Sequence, residues 1–185
     1  MSNLELDPKK RFLTPGTKVR EFELKDDHGN RFSTNDLLRD GPLIITFYRG
    51  AWCSCCQADL RDLAQAAPML KRHGISIIAV FNELSPTSCA RIVHDYGTEF
   101  PILNDTTGET AEAFGVRRSL AEMAKVEDEF GPEALALKEG QPWIMPMQAR
   151  FVVDQDRSIL SSDVLFNYGE RSDVELVFAV LKRGP

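Results

Sequence analysis

Three of the four cysteines, Cys53, Cys55 and Cys56, fall within a span of four residues. Clustered thiols can exchange disulfides, reduce peroxides or hold a soft metal ion, and in each case the reactive form is the thiolate. Leu43-Ile44-Ile45-Thr46-Phe47 precedes the cluster. This continuous apolar, β-branched run predicts a buried strand. After it, Leu60, Leu63, Ala64, Ala67 and Leu70 recur at helical spacing on one face. The cysteines are therefore expected where a strand ends and a helix begins. Unsatisfied backbone N–H groups and the positive end of the helix dipole meet there and stabilise a thiolate.

Cys53 and Cys56 are three residues apart and share a face at the start of a helix. Cys55 and Cys56 are neighbours, with Cα atoms about 3.8 Å apart across a trans peptide. That span is shorter than a disulfide normally takes. Cys55 also lies roughly 200° around the helix from Cys53. The spacing favours a Cys53–Cys56 redox pair with Cys55 beside it. Three ordinary buried thiols and a copper or zinc site are the alternatives. Cys-x-Cys-Cys is not a standard zinc spacing, and no histidine is near in sequence.

At 185 residues the chain is expected to form one domain, with residues 1–13 as an extended arm. Its formal charge of −6 argues against a nucleic-acid partner. The apolar runs are too short for a membrane span, and residues 1–12 lack the apolar core of a signal peptide. A cytoplasmic location is expected, where disulfides are mostly transient and catalytic.

Thr14-Pro15-Gly16 predicts a turn. Val19–Leu24 and Arg31-Phe32 predict a β-hairpin, followed by a short helix capped from Ser33-Thr34-Asn35-Asp36. The helix after the cysteines should end at Gly74 and contain Pro68, which should kink it. Residues 75–81 predict a strand. Ser85-Pro86 opens a helix that carries Cys89 and ends at Gly97. Residues 100–103 predict a strand and 108–114 a short helix. Residues 117–142 look like a helical insertion, with Ser119-x-x-Glu122 as a capping box. Strands at 149–154 and 158–166 precede a last helix capped from Ser172-x-x-Glu175. His28, His73 and His94 are expected on the surface. The order predicts an α/β fold, a central mixed sheet flanked by helices. A Cys-x-x-Cys at a strand end in such a βαβ pattern is a thioredoxin-like signal.

Phe47-Tyr48-Arg49-Gly50-Ala51-Trp52-Cys53-Ser54-Cys55-Cys56 is similar to F-Y-R-G-x-W-C-P-Y-C. Pro142-Trp143-Ile144-Met145-Pro146-Met147-Gln148-Ala149-Arg150-Phe151-Val152-Val153 is similar to P-x-W-x-L-P-M-P-A-R-F-V-I. Through these motifs the sequence resembles the peroxiredoxin-like branch of the alkyl hydroperoxide reductase/thiol-specific antioxidant (AhpC/TSA, redoxin) superfamily, from about Thr14 onward. The resemblance implies a thioredoxin-like fold of peroxiredoxin type and thiol redox activity without a cofactor. By analogy with the peroxiredoxin T-x-x-C turn, Cys56 matches the peroxide-reacting cysteine and Cys53 replaces the threonine. By analogy with thioredoxin, Cys53 attacks. The two analogies nominate different nucleophiles.

Ser54 and Cys55 replace the Pro-Tyr of the branch. Gln148 stands where thioredoxins carry the cis-proline and peroxiredoxins an arginine. Arg150, two residues on, faces the same side of the strand. It could replace that arginine or form a surface ion pair. Arg49 is the other candidate cation. Asp59, one turn into the helix, should oppose the thiolate modestly. Cys89 occupies the helix that bears a resolving cysteine in some thiol peroxidases, although an ordinary thiol is the expected reading. These positions imply a thiol–disulfide oxidoreductase of antioxidant type acting through Cys53 and Cys56, with Arg49, Trp52, Cys55, Gln148 and Arg150 in support. Its partners would be a peroxide or disulfide substrate and an external thioredoxin- or glutathione-type dithiol. Oligomeric state is left open, a homodimer included. The rival reading is a non-enzymatic redox sensor or partner-binding protein, switched by the Cys53–Cys56 disulfide, that reacts about once per molecule. Weak peroxidase activity is expected, and Gln148→Arg is expected to raise it if the backbone accepts the change.

Overall fold

A computed structural model describes residues 12–82, 85–118, 145–165 and 172–174, together with 177 and 179. Within them the strands are β1 (Glu23–Lys25), β2 (Arg31–Ser33), β3 (Leu43–Phe47), β4 (Ser76–Phe81), β5 (Ile102–Asn104), β6 (Ala149–Val153) and β7 (Ile159–Val164). The helices are α1 (Thr34–Leu37), α2 (Ser54–Arg72), α3 (Pro86–Tyr96) and α4 (Glu109–Ala113). One sheet runs in the order β2-β1-β5-β4-β3-β6-β7. β3, β4 and β5 are parallel, as expected for βαβ crossovers. β6 and β1 flank them antiparallel, so the sheet is mixed.

Alternation along β3 and β4 divides the core between the two faces. Ile44, Tyr48, Ile77, Ala79 and Phe81 pack with Leu60, Leu63 and Leu70 of α2 and Ile92 of α3. Leu43, Ile45, Phe47, Ile78 and Val80 pack with Leu37, Ala111 and Phe114 on the other face. Every residue of β3 is buried, which is why it reads as an unbroken apolar run.

The expected punctuation is present. Ser33 caps α1 and Ser85 caps α3, each hydroxyl accepting from the backbone N–H three residues on at 3.1 Å. Gly74 (φ 73°) follows the end of α2, and Gly97 (φ 62°) ends α3. Pro68 lies inside α2. The hairpin differs from its expectation, because β1 begins only at Glu23. Val19 is instead a buried anchor whose N–H donates to the Arg157 carbonyl at 2.8 Å. β5 likewise starts at Ile102, after Pro101, which lacks an amide hydrogen to give a ladder. The Ser119–Glu122 box and nearly all of the 117–142 insertion lie outside the described residues. So do the arm through residue 11 and Glu175, the partner in the second box.

Candidate active site

The site is assembled where β3 hands over to α2. Tyr48 continues the strand, its N–H donating to the Val80 carbonyl at 2.9 Å. Arg49 to Trp52 then turn, and the Cys53 N–H closes the turn on the Gly50 carbonyl at 3.2 Å. A Cβ on Gly50 would lie 2.3 Å from Nε1 of Trp52, so the indole packs directly over the glycine. Nε2 of Gln57 donates to the Ala51 carbonyl at 2.6 Å and braces the turn from the first helical coil.

Cys53 is the N-cap of α2, a place normally taken by Ser, Thr, Asp or Asn. Its Sγ accepts the Cys56 N–H at 3.4 Å. No acidic residue stands in the first turn to offset the positive helix end. Cys53 and Cys56 are 5% and 2% exposed, and Cys55 is half-buried. All four cysteines are free thiols. The expected pair is therefore brought together at the helix N-terminus.

The electrostatics separate the two thiols. Hydrogen bonding from the Cys56 side chain lowers the Cys53 pKa to about 6, against the cost of burial. The backbone N–H groups of Cys56 and Cys55 and the charge of Arg49 act in the same direction. Cys56 moves the opposite way. Burial raises it well above an ordinary thiol, and so do its hydrogen bond to Cys53 and the charge there. Both shifts favour the thiolate on Cys53 and the proton on Cys56.

β6 supplies the floor. It pairs antiparallel with β3, placing Arg150 opposite Thr46 and Ala149 opposite Phe47. Gln148, fully buried just before β6, accepts two hydrogen bonds at Oε1: Arg49 Nη2 at 3.0 Å and Cys56 Sγ at 3.5 Å. Arg150 does not form the surface ion pair considered from the sequence. Its Nη2 meets Asp59 Oδ2 at 2.8 Å with both side chains buried, and its Nε donates to Thr46 Oγ1 at 3.2 Å. The Tyr48 hydroxyl donates to the same carboxylate oxygen at 2.7 Å. Asp59 is thus turned toward Arg150 and Tyr48. Burial raises its carboxyl pKa, while Arg150 and Tyr48 pull it down. Gln148 is fully buried with its Oε1 3.0 Å from Arg49 Nη2, so an arginine there would place a second guanidinium beside that of Arg49.

Arg49 is the cation that the structure brings to the cysteines; it is 4% exposed and tied to a neutral amide. Tyr48, Asp59 and Thr46 were not singled out as site residues in the sequence, apart from the opposing charge of Asp59. Their signal was the burial pattern, since Asp59 shares the helix face of Cys56, Leu60 and Leu63. Cys89 is buried on α3 and pushed up to about 11, first by burial and then by Asp27 in the β1–β2 turn, which accepts a hydrogen bond from its thiol. The histidines lie on the surface: the side chains of His28 and His94 are 78% and 88% exposed, and His73 is exposed at the end of α2.

Paired thiols at a strand–turn–helix junction, on a mixed sheet flanked by helices, define a thioredoxin-fold thiol oxidoreductase. Comparison with known proteins makes this specific. The AhpC/TSA family matches residues 15–162. A Mycobacterium tuberculosis protein that carries a peroxiredoxin name, Rv1608c, is 30% identical over 154 residues, covering 80% of this chain and 83% of that one. The thiol-disulfide oxidoreductase ResA of Bacillus subtilis is 28% identical over 107 residues, 58% of this chain and 59% of ResA. The crystal structure of peroxidoxin BcpB from M. tuberculosis shares the fold with a TM-score of 0.73 at 23% identity, covering 94% of this chain and 99% of that one. The chain belongs to the AhpC/TSA family and is a thiol-dependent oxidoreductase. No helix among the described residues is long and apolar enough to cross a membrane.

Proposed function

We propose that Cys53 is the attacking thiolate, that Cys56 resolves, and that disulfides are better substrates than peroxides. The observation carrying this reading is the place of Cys53 as N-cap of α2, its Sγ accepting the Cys56 N–H at 3.4 Å, in keeping with a pKa lowered to about 6 for Cys53 and raised for Cys56. Attack by Cys53 on a substrate disulfide forms a mixed disulfide and expels one substrate thiolate. Cys56 then loses its proton and attacks Cys53. The second substrate thiol leaves, and the Cys53–Cys56 disulfide remains. With a peroxide, Cys53 would take one oxygen to become sulfenic acid and release an alcohol or water. Cys56 would then displace hydroxide, which leaves as water. An external dithiol of thioredoxin type, or two molecules of glutathione, returns the pair to the reduced state in either case.

Peroxide cleavage needs donors aimed at the departing oxygen. Arg150 is held by Asp59 and Thr46 through Nη2 and Nε, which leaves only its Nη1 without a partner, and Gln148 offers its oxygen to Arg49 and Cys56, which leaves its neutral Nε2 as the other unpartnered donor. Disulfide exchange depends less on such donors, because its leaving group is a thiolate. Steady-state turnover of a model disulfide and of hydrogen peroxide, with thioredoxin or glutathione as donor, tests the reading. Disulfide turnover should survive in the Cys55→Ser protein and fail in the Cys53→Ser protein. Consumption of one equivalent of oxidant without cycling would instead identify a sensor.

A further inference from the structure

We propose that Gln148 is a positioning residue that favours the open dithiol, because its buried carbonyl oxygen accepts the Cys56 hydrogen only while the Cys53–Cys56 disulfide is absent. The inference rests on the reading of these two cysteines as the redox pair.

Oε1 of Gln148 receives two donors, Arg49 Nη2 and Cys56 Sγ, at 3.0 and 3.5 Å. The side chain is wholly buried, so water does not replace a donor that is lost. Reduced Cys56 carries one hydrogen, shared between the Cys53 sulfur and Gln148 Oε1, whereas a disulfide sulfur carries none. Closing the bridge removes one of the two donors and leaves the Arg49 contact in place. The amide therefore interacts unequally with the two redox states, and such a difference is what shifts an equilibrium. Reduction of the bridge consumes two glutathione molecules, gives one glutathione disulfide and restores both protein thiols. The Cys56 hydrogen bond to Gln148 is regained in that step.

Charge supports the same placement. A carboxylate at this position would neutralise Arg49 and repel the Cys53 thiolate. The amide accepts from Arg49 and leaves its positive charge to act on Cys53, where it lowers the thiol pKa. Beside it, among the described residues, Tyr48, Asp59, Arg150 and Thr46 form a linked network: Tyr48 and Arg150 each donate to Asp59, and Arg150 also donates to Thr46.

Gln148→Met retains the length and bulk of the side chain and removes the acceptor. Arg49 acts on the Cys53 thiolate in the reduced state only, so the same comparison is made in an Arg49→Met background, where any effect that runs through Arg49 is removed. The fraction oxidised in glutathione buffers, read by alkylation and mass, is expected to shift about two- to fivefold toward the disulfide, a thiol being a weak donor. The melting midpoint of the reduced protein should fall more than that of the oxidised protein. An unchanged equilibrium with equal falls in both midpoints means a purely structural amide and overturns the proposal, as does a shift toward the dithiol. Failure of the unsubstituted protein to form a Cys53–Cys56 disulfide would instead sink the assignment of the pair. A second measurement leaves Gln148 intact, should the variant not fold. Its side-chain carbonyl resonance is expected to move between reduced and oxidised protein, and an unmoved resonance overturns the proposal.

Discussion

Arg150 of β6 and Asp59 of α2 meet at 2.8 Å with side chains 2% and 0% exposed. The contact fixes the helix against the strand one step beyond the cysteines. Cys56 and Asp59 are three apart on a helix, which advances them about 4.5 Å. Gln148 and Arg150 are two apart on a strand, which advances them about 6.6 Å. The steps are close enough that Cys56 faces Gln148 while Asp59 faces Arg150. Removing one partner leaves a buried charge uncompensated, a loss of about 3–5 kcal/mol. Asp59→Asn and Arg150→Met are each expected to destabilise by that order in urea unfolding. The double replacement Asp59→Leu/Arg150→Met should cost less than the sum.

The lowered Cys53 pKa predicts a pH profile. Its folded value, about 6, lies below the ~8.5 of a free cysteine. The thiolate therefore contributes stability that is full above the unfolded value and lost as pH falls through about 6. Cys56 is displaced upward, so its contribution has the opposite sign and fades at alkaline pH. Iodoacetamide should label Cys53 with a midpoint near 6, and Cys56 only at high pH. Peptide mapping after timed alkylation checks both.

Arg49→Met should raise the Cys53 pKa, because the guanidinium is one of the groups holding the thiolate. Alkylation and disulfide exchange are expected to slow severalfold near neutral pH and to recover at alkaline pH, where Cys53 ionises without help. An equal loss at every pH would point to damaged geometry rather than a missing charge.

The cysteine turn, the apolar face of α2 and the serine caps were legible because each is written in consecutive residues. The strand β3 announced itself through burial on both faces. The partners of Arg150 and Gln148 were not legible. They depend on the β3–β6 register and on the rotation of α2, which no local pattern encodes. Arg150 looked equally suited to a surface pair, because an arginine in a strand says nothing about what stands across from it. The proposed division of labour between Cys53 and Cys56 was hidden for the same reason. It depends on which sulfur caps the helix and which contacts the strand amide.

Gly50→Ala tests the turn. The added Cβ would meet Nε1 of Trp52 at 2.3 Å, so the indole must leave its seat. A loss of about 1–3 kcal/mol is expected from overpacking, with a shift in tryptophan emission. An unshifted emission and unchanged urea midpoint would show that Trp52 yields at no cost.

The order of attack is tested most directly in two single-serine proteins, Cys56→Ser and Cys53→Ser, each mixed once with a small disulfide and once with hydrogen peroxide under stopped flow. Cys56→Ser should react with the disulfide at nearly the unsubstituted rate and stall as a mixed disulfide on Cys53. Cys53→Ser should be slower by about 10² or more, since its remaining thiol is buried and protonated. Peroxide should oxidise the unsubstituted protein far below the diffusional ceiling of about 10⁸ M⁻¹s⁻¹. Retention of fast peroxide oxidation by Cys53→Ser, with sulfenic acid on Cys56, would contradict the account.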